Sequence, residues 1–228
     1  MHGLSVSFLN MSDQTPERAP LHVIRHPLQG YSESVLEQEM IVTALLNKQA
    51  KDTMIFTEHL PVYTLGTSAG SADVISREVD GEKIDVCKTG RGGEATYHGP
   101  GQLVCYVIVD ISNEQDLHRH VWRLEEMIIR TLADFGIEAE RNKRGIGVWV
   151  GGKKIAAVGV RCCKWVTFHG IALNINPNMR HFQGIITCGM ADRPVVSMQG
   201  LGVDAEREAV EAKILVHADE LFGASPDL

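Results

Sequence analysis

The chain has 228 residues, 44% hydrophobic and 22% charged, which fits one large domain with a sizeable core. A net charge of −7 argues against a nucleic-acid binder. No apolar run approaches the roughly 20 residues that span a bilayer, so neither nucleic acid nor membrane is expected as a partner. With no charged-then-apolar signal pattern at the N-terminus, the cytoplasm is the expected compartment.

Residues 1–20 are polar and read as a leader. Leu21-His22-Val23-Ile24 has strand character. Ser34-x-x-Glu37 has the form of a capping box. Leu36, Met40, Ile41, Ala44 and Leu45 follow at helical spacing, so the pattern predicts a helix over 34–48 with those residues in the core. Met54-Ile55-Phe56 predicts a short strand. Glu58 to Gly66 is broken by Pro61, and His59 within it reads as a structural, hydrogen-bonded histidine.

Thr89 to Gln102 is the densest stretch, with five glycines and a proline among Arg91, Tyr97 and His98. Glycine is used where a ligand must approach the main chain. The stretch predicts a ligand-binding loop leading into a fully buried strand over 103–109. It matches neither phosphate fingerprint: no Gly-Lys-Ser/Thr ending is present and no helical pattern follows.

The strongest helical stripe is Leu117, Val121, Leu124, Ile128, Leu132 and Phe135, with Asp116 as N-cap and Gly136 as stop. Gly151-Gly152 separates two strand patterns and predicts a tight hairpin. A further strand covers 165–175, a loop covers 176–187, and Asp204 is expected to cap a last helix that turns Val210, Ile214, Ala218 and Leu221 inward. The order is not a regular βαβ series. It predicts an α+β (mixed α/β) fold with a largely antiparallel mixed sheet flanked by helices. One catalytic domain would span 21–222, with a tail at 223–228.

Five cysteines (Cys87, Cys105, Cys162, Cys163, Cys188) without a spacing framework exclude a disulfide scaffold, and the ten histidines show no zinc-ligand pairing, so no metal is expected. Cys87 and Cys105 lie in strand patterns and read as inert buried thiols. Cys188 lies in a loop before Gly189, where a small buried hydrophobe and a reactive thiolate are both open readings. Lys154 begins an apolar strand, where a partly buried lysine can shift its pKa and act on protons. Lys153 and Lys154 alternate to opposite faces, and the alternation does not say which of them faces a cleft. Arg141, Lys143, Arg144, Lys153, Lys154, Arg161 and Lys164 form a basic region in an acidic chain, either a solvated face or a dock for an acidic partner.

Together these motifs resemble the lipoyl(octanoyl) transferases. The matching residues are Pro61 to Gly66, Arg91-Gly92-Gly93-x-x-Thr96-Tyr97-His98-Gly99-Pro100-Gly101-Gln102, Gly147-Val148-Trp149-Val150, Lys154-Ile155-Ala156, Gly159-Val160-Arg161, His169-Gly170-x-Ala172-Leu173-Asn174 and Cys188-Gly189. The resemblance implies the fold of biotin– and lipoate–protein ligase catalytic domains. It implies octanoyl (or lipoyl) transfer from acyl carrier protein, which presents the group on phosphopantetheine. The acceptors it implies are lysines of lipoyl domains, in 2-oxo acid dehydrogenase complexes and the glycine cleavage H protein. Carried over, Cys188 is the acyl-thioester nucleophile, and Lys154 lowers its pKa and shuttles protons. Arg91, Gly92, Gly93, Glu94, Ala95, Thr96, Tyr97 and His98 line the acyl site, with Ala157, Val158, Gly159, Gly170, Ile171 and Ala172. Thr187 stands where the family usually has proline. Acyl exchange between thioesters is near thermoneutral and thioester to amide is downhill, so no ATP is expected and the kinetics are ping-pong. The alternatives are an ATP-dependent ligase or amidotransferase on the same fold, and a metal or redox module using Cys162, Cys163, His169 and Cys188.

Overall fold

The computed structural model describes residues 20–143, 145–186 and 194–223. The expected leader up to Ala19, Arg144, the Thr187-Cys188-Gly189 motif and residues 224–228 lie outside the described residues. In chain order the elements are β1 (His22–Arg25), α1 (Tyr31–Leu46), β2 (Thr53–Thr57), β3 (Val62–Leu65), β4 (Glu78–Val79), β5 (Glu82–Lys83), β6 (Asp85–Lys88) and β7 (Ala95–His98). Then come β8 (Gln102–Asp110), α2 (Leu117–Asp134), β9 (Glu140–Asn142), β10 (Gly145–Val150), β11 (Lys153–Cys163), β12 (Val166–Asn174), a 3₁₀ helix (Met179–Gly184) and α3 (Arg207–Ala218).

Seven strands form the main sheet in the order β1-β2-β8-β12-β11-β10-β9. Only β1–β2 is parallel; every other neighbouring pair is antiparallel. A second sheet has the order β6-β3-β7, and β4–β5 is a separate small hairpin. The α+β expectation is met. β8, apolar at nearly every position, lies inside the sheet between β2 and β12 and is buried on both faces, as a continuous apolar run requires.

On one face of the main sheet, α2 and α3 cover a core that includes Met54, Phe56, Val107, Leu124, Ile128 and Ile171. On the other face α1 covers Ile55, Val104, Tyr106, Ile108 and Phe168. The helix α2 follows its stripe: Asp116 caps it by accepting from the Arg119 amide at 2.9 Å, and Gly136 at φ +74° follows its end.

The caps of α1 and α3, the core face of α1 and the glycine-rich stretch differ from expectation. α1 starts at Tyr31 with Gly30 before it and has no capping box. Its buried face is Tyr31, Ser34, Gln38, Val42 and Leu45, while Leu36 and Met40 are 61% and 66% exposed. The apolar residues of α1 are spread around the helix, and the face that meets the sheet carries polar residues. α3 begins after Glu206, so Asp204 does not cap it. The glycine-rich stretch is not one loop, because Ala95–His98 pairs with β3 as a strand of the second sheet.

Candidate active site

Between the two sheets and the N-terminal half of α2 lies a cleft of about 810 Å³. Its floor is a strip of small residues on adjacent strands. Gly159 faces Gly170 and Ala157 faces Ala172 across β11–β12, and next to them on β8 stand Tyr106 and Val104. These positions share the α1 side of the sheet, because side chains alternate along a strand. A Cβ on Gly170 would run into the Cys105 carbonyl, so that strand contact requires glycine. The wall opposite is the Arg91–Gly93 segment, joined to the floor by the Gly92 amide donating to the Val160 carbonyl at 2.9 Å.

The structure brings Arg91, Gly92, Gly93, Glu94, Ala95, Thr96, His98, Ala157, Val158, Gly159, Gly170, Ile171, Ala172 and Lys154 into this one cleft. Tyr97 is the exception. On β7 it alternates away from Thr96 and His98 into the core of the second sheet, where its hydroxyl meets His181 Nδ1 at 2.8 Å. Tyr97 is therefore a packing residue, not a lining one.

Lys154 sits at one end of the cleft. Its Nζ donates to the Ile146 carbonyl at 3.0 Å and lies 4.9 Å from the centre of the Trp149 ring. A carbonyl oxygen and the face of an indole ring are both partners that attract a cation. Lys153 is exposed on the other side of the strand. A bulge between β10 and β11 leaves Ile155 without a partner, since Val148 pairs with Ala156 and Trp149 with Lys154. The chain returns to Lys154 directly after the undescribed segment: the Lys154 amide donates to Pro194 O, and the Val196 amide to Lys154 O, both at 3.0 Å.

Behind the wall runs a buried hydrogen-bond chain with a single sense. Arg91 Nη2 donates to Thr64 Oγ1 at 2.8 Å, and Thr64 Oγ1 lies 3.2 Å from His98 Nε2. His98 Nδ1 meets Gln102 Oε1 at 2.7 Å, Gln102 Nε2 donates to Asn174 Oδ1 at 2.9 Å, and Asn174 Nδ2 donates to Val196 O at 3.0 Å. The chain requires neutral His98 with its proton on Nδ1. Burial, followed by the His59 and Arg91 charges, holds His98 well below the usual histidine range, which gives that state.

The far end of the cleft holds Tyr31 and Tyr106, which the motifs did not single out, and His169, which stood in a motif without a role at the acyl site. His169 has φ +62° inside a strand, a conformation that non-glycine residues rarely hold. Its amide donates to Gln38 Oε1 of α1 at 2.9 Å, in place of a ladder bond to β8. Burial, then the charges of Arg91 and Arg161, pushes its imidazole down to about 4. His59 is structural as expected, held between Gln29 O at 3.0 Å and the Tyr106 hydroxyl at 2.6 Å. The basic region divides. Arg141 is turned inward to Glu125 and Glu126, whereas Lys143, Lys153, Arg161 and Lys164 are exposed. Cys105 is fully buried and its thiol is pushed well up by desolvation, while Cys87 is only partly buried. Among the described residues no cluster of three or more His, Cys, Asp or Glu has the geometry to hold a metal ion.

A lipoyl protein ligase A/B catalytic domain model matches residues 31–218. An octanoyltransferase of Magnetococcus marinus is 42% identical over 203 residues, covering 89% of this chain and 93% of its own. That of Paramagnetospirillum magneticum is 42% identical over 200 residues, covering 85% and 92%. Among solved structures, lipoate–protein ligase A bound with ATP superposes with a TM-score of 0.70 at 18% identity, over 90% of this chain and 85% of that one. Biotin protein ligase from Aquifex aeolicus gives 0.54 at 16% identity, over 88% and 69%. These structural likenesses bear on the fold. The match over most of the domain, together with relatives at about 40% identity, places the chain in the lipoyl protein ligase A/B catalytic domain family, among the octanoyltransferases.

Proposed function

We propose that this protein is an acyltransferase that moves an octanoyl group from the phosphopantetheine thiol of acyl carrier protein to a lysine of a lipoyl domain, through a thioester on Cys188. The observation that carries the reading is the placement of Lys154. It lies at one end of a trough floored by Gly159, Gly170, Ala157 and Ala172, against the segment that follows Cys188 in the chain. A floor of glycine and alanine leaves room for an alkyl chain along the sheet. Each buried methylene contributes about 0.8 kcal/mol, so the trough can select for acyl length.

In the first half-reaction the Cys188 thiolate attacks the donor thioester carbonyl. The tetrahedral intermediate collapses, the pantetheine thiolate leaves and takes up a proton, and an S-octanoyl cysteine remains. In the second, the neutral amine of the acceptor lysine attacks that thioester, the cysteine thiolate leaves, and the nitrogen loses a proton. The sum is thioester plus amine giving amide plus thiol, with no nucleotide consumed. Lys154 as ammonium stabilises the thiolate and serves as the local proton donor and acceptor. The exposed basic residues near the cleft give an acidic carrier or lipoyl domain a complementary surface.

The test is intact mass after mixing the protein with octanoyl-acyl carrier protein in the absence of ATP, followed by peptide mapping. The expected result is a hydroxylamine-sensitive octanoyl adduct on Cys188 that disappears when a lipoyl domain is added. Lipoyl-domain modification only with free acid and ATP would replace this reading with a ligase.

A further inference from the structure

The ammonium of Lys154 is held by a backbone carbonyl, and that carbonyl belongs to a segment with little ladder support. β10 pairs with β9 at Gly145↔Asn142 and Val148↔Arg141, so the register shifts across Ile146 and Gly147. It also shifts against β11 between Val148 and Trp149. Gly147 stands at φ +130°, and a Cβ there would meet Ala156 O at 2.7 Å and the Lys154 side chain at 3.2 Å. This irregular turn places the Ile146 carbonyl under Lys154 Nζ.

One side chain anchors the turn. Glu125, on α2 and 8% exposed, accepts from the Gly147 amide through Oε1 at 2.8 Å. Its Oε2 faces Arg141 Nε of β9 at 3.2 Å. Arg141 is fixed in turn by Glu126 Oε2 at 2.8 Å and lies 4.6 Å from the centre of the Trp122 ring. The carboxylate thus takes up an amide that the bulge leaves without a strand partner, next to the residue whose carbonyl binds the lysine. Both Glu125 and Ile146 line the cleft.

We propose that Glu125 is a positioning residue: through the Gly147 amide it sets the Ile146 carbonyl that aims the Lys154 ammonium. This rests on Lys154 acting in the acyl transfer proposed above. Arg141 orients the carboxylate, and Gly147 leaves space for the lysine stem. In this proposal Glu125 acts through Lys154, not on the acyl group itself.

The experiment is single-turnover acylation of the full-length protein by octanoyl-acyl carrier protein, with melting temperatures measured alongside. Glu125→Ala is expected to slow acylation about tenfold with little change in donor affinity. Glu125→Gln keeps an oxygen for the Gly147 amide and is expected to stay within about twofold of wild type. The variant carrying both Glu125→Ala and Lys154→Ala is expected to be no slower than Lys154→Ala alone. The inference is overturned if Glu125→Gln is as slow as Glu125→Ala, because charge and not the acceptor then matters. It is equally overturned if the double variant is about tenfold slower than Lys154→Ala. Should Glu125→Ala not fold, Glu125→Asp replaces it: the charge for Arg141 stays, the reach to Gly147 shortens, and unslowed acylation sinks the idea. Lys154→Ala with wild-type acylation removes the underlying role of the lysine. Lys154→Ala impaired beside an unimpaired Glu125→Ala removes the positioning role alone.

Discussion

Lys153 and Lys154 are neighbours with the same chemistry and opposite surroundings. Lys154 lies in the cleft, over the Trp149 ring and bonded to the Ile146 carbonyl; Lys153 projects into solvent. Replacing Lys154 with Ala removes the local cation and proton carrier, and transfer should fall roughly 10²–10⁴-fold, the range of a positioned acid–base group. Lys153→Ala should stay within about twofold. The comparison is read from the rate of lipoyl-domain octanoylation, and equal losses in both variants would end the argument for Lys154. Alternation along β11 makes the two faces distinct in the sequence, but choosing between them needs the partners on β10 and the return of Pro194 to the strand. Neither is encoded locally. The same limit applies to Tyr97. It stands among lining residues in the sequence, and the strand period turns it the other way.

At the scale of elements, the site is a juxtaposition of β11, β12 and β7. Ala157 faces Ala172 across the ladder, in the middle of the trough. Ala157→Leu adds three carbons where the alkyl chain is proposed to lie. It should displace two or three methylenes of the substrate, at about 0.8 kcal/mol each, so hexanoyl donors should overtake octanoyl donors in kcat/KM. An unchanged chain-length preference would place the acyl group elsewhere. The chain from Arg91 to Val196 makes a different prediction. Asn174→Ala leaves the Gln102 amide nitrogen and the Val196 carbonyl without their partner, at a cost of about 1–3 kcal/mol. The melting temperature should drop by about 5 °C, and transfer should fall because Val196 pairs with Lys154. Elements with one dominant pattern were legible: β8 from its apolar run, α2 from its stripe and cap, the β10–β11 hairpin from Gly151-Gly152. The core face of α1 was not. That helix buries Ser34 and Gln38, and Gln38 serves the strained backbone of His169, a need that arises only once β12 is in place.

At the scale of the whole molecule, three of the ten histidines meet where the two sheets and α1 come together. His59, His98 and His169 are all buried there, close to Tyr31, Tyr106 and Arg91. Burial pushes His59 and His169 down to about 4, from an ordinary 6.5 in the unfolded chain. Between those values the unfolded chain binds more protons than the folded one, so stability rises with pH through the window and is flat above it. At pH 5 the two together should weaken the fold by about 4 kcal/mol relative to pH 7.5, which for a chain of this size is a drop in melting temperature on the order of 10 °C. The exposed pairs Asp80–Arg180 and Asp134–His217 do not produce this limb, because the carboxyl pKa of each lies below the ordinary carboxylate value and titrates at more acid pH. His169→Asn isolates one contribution, since asparagine tolerates the left-handed backbone at that position. Its melting temperature should fall less steeply from pH 7 to pH 5 than that of the wild type. A wild-type protein that melts at the same temperature at pH 5 and pH 7.5 would mean these imidazoles take up protons as readily in the fold as outside it. The neutral His98 on which the chain from Arg91 to Val196 depends would then lose its physical basis.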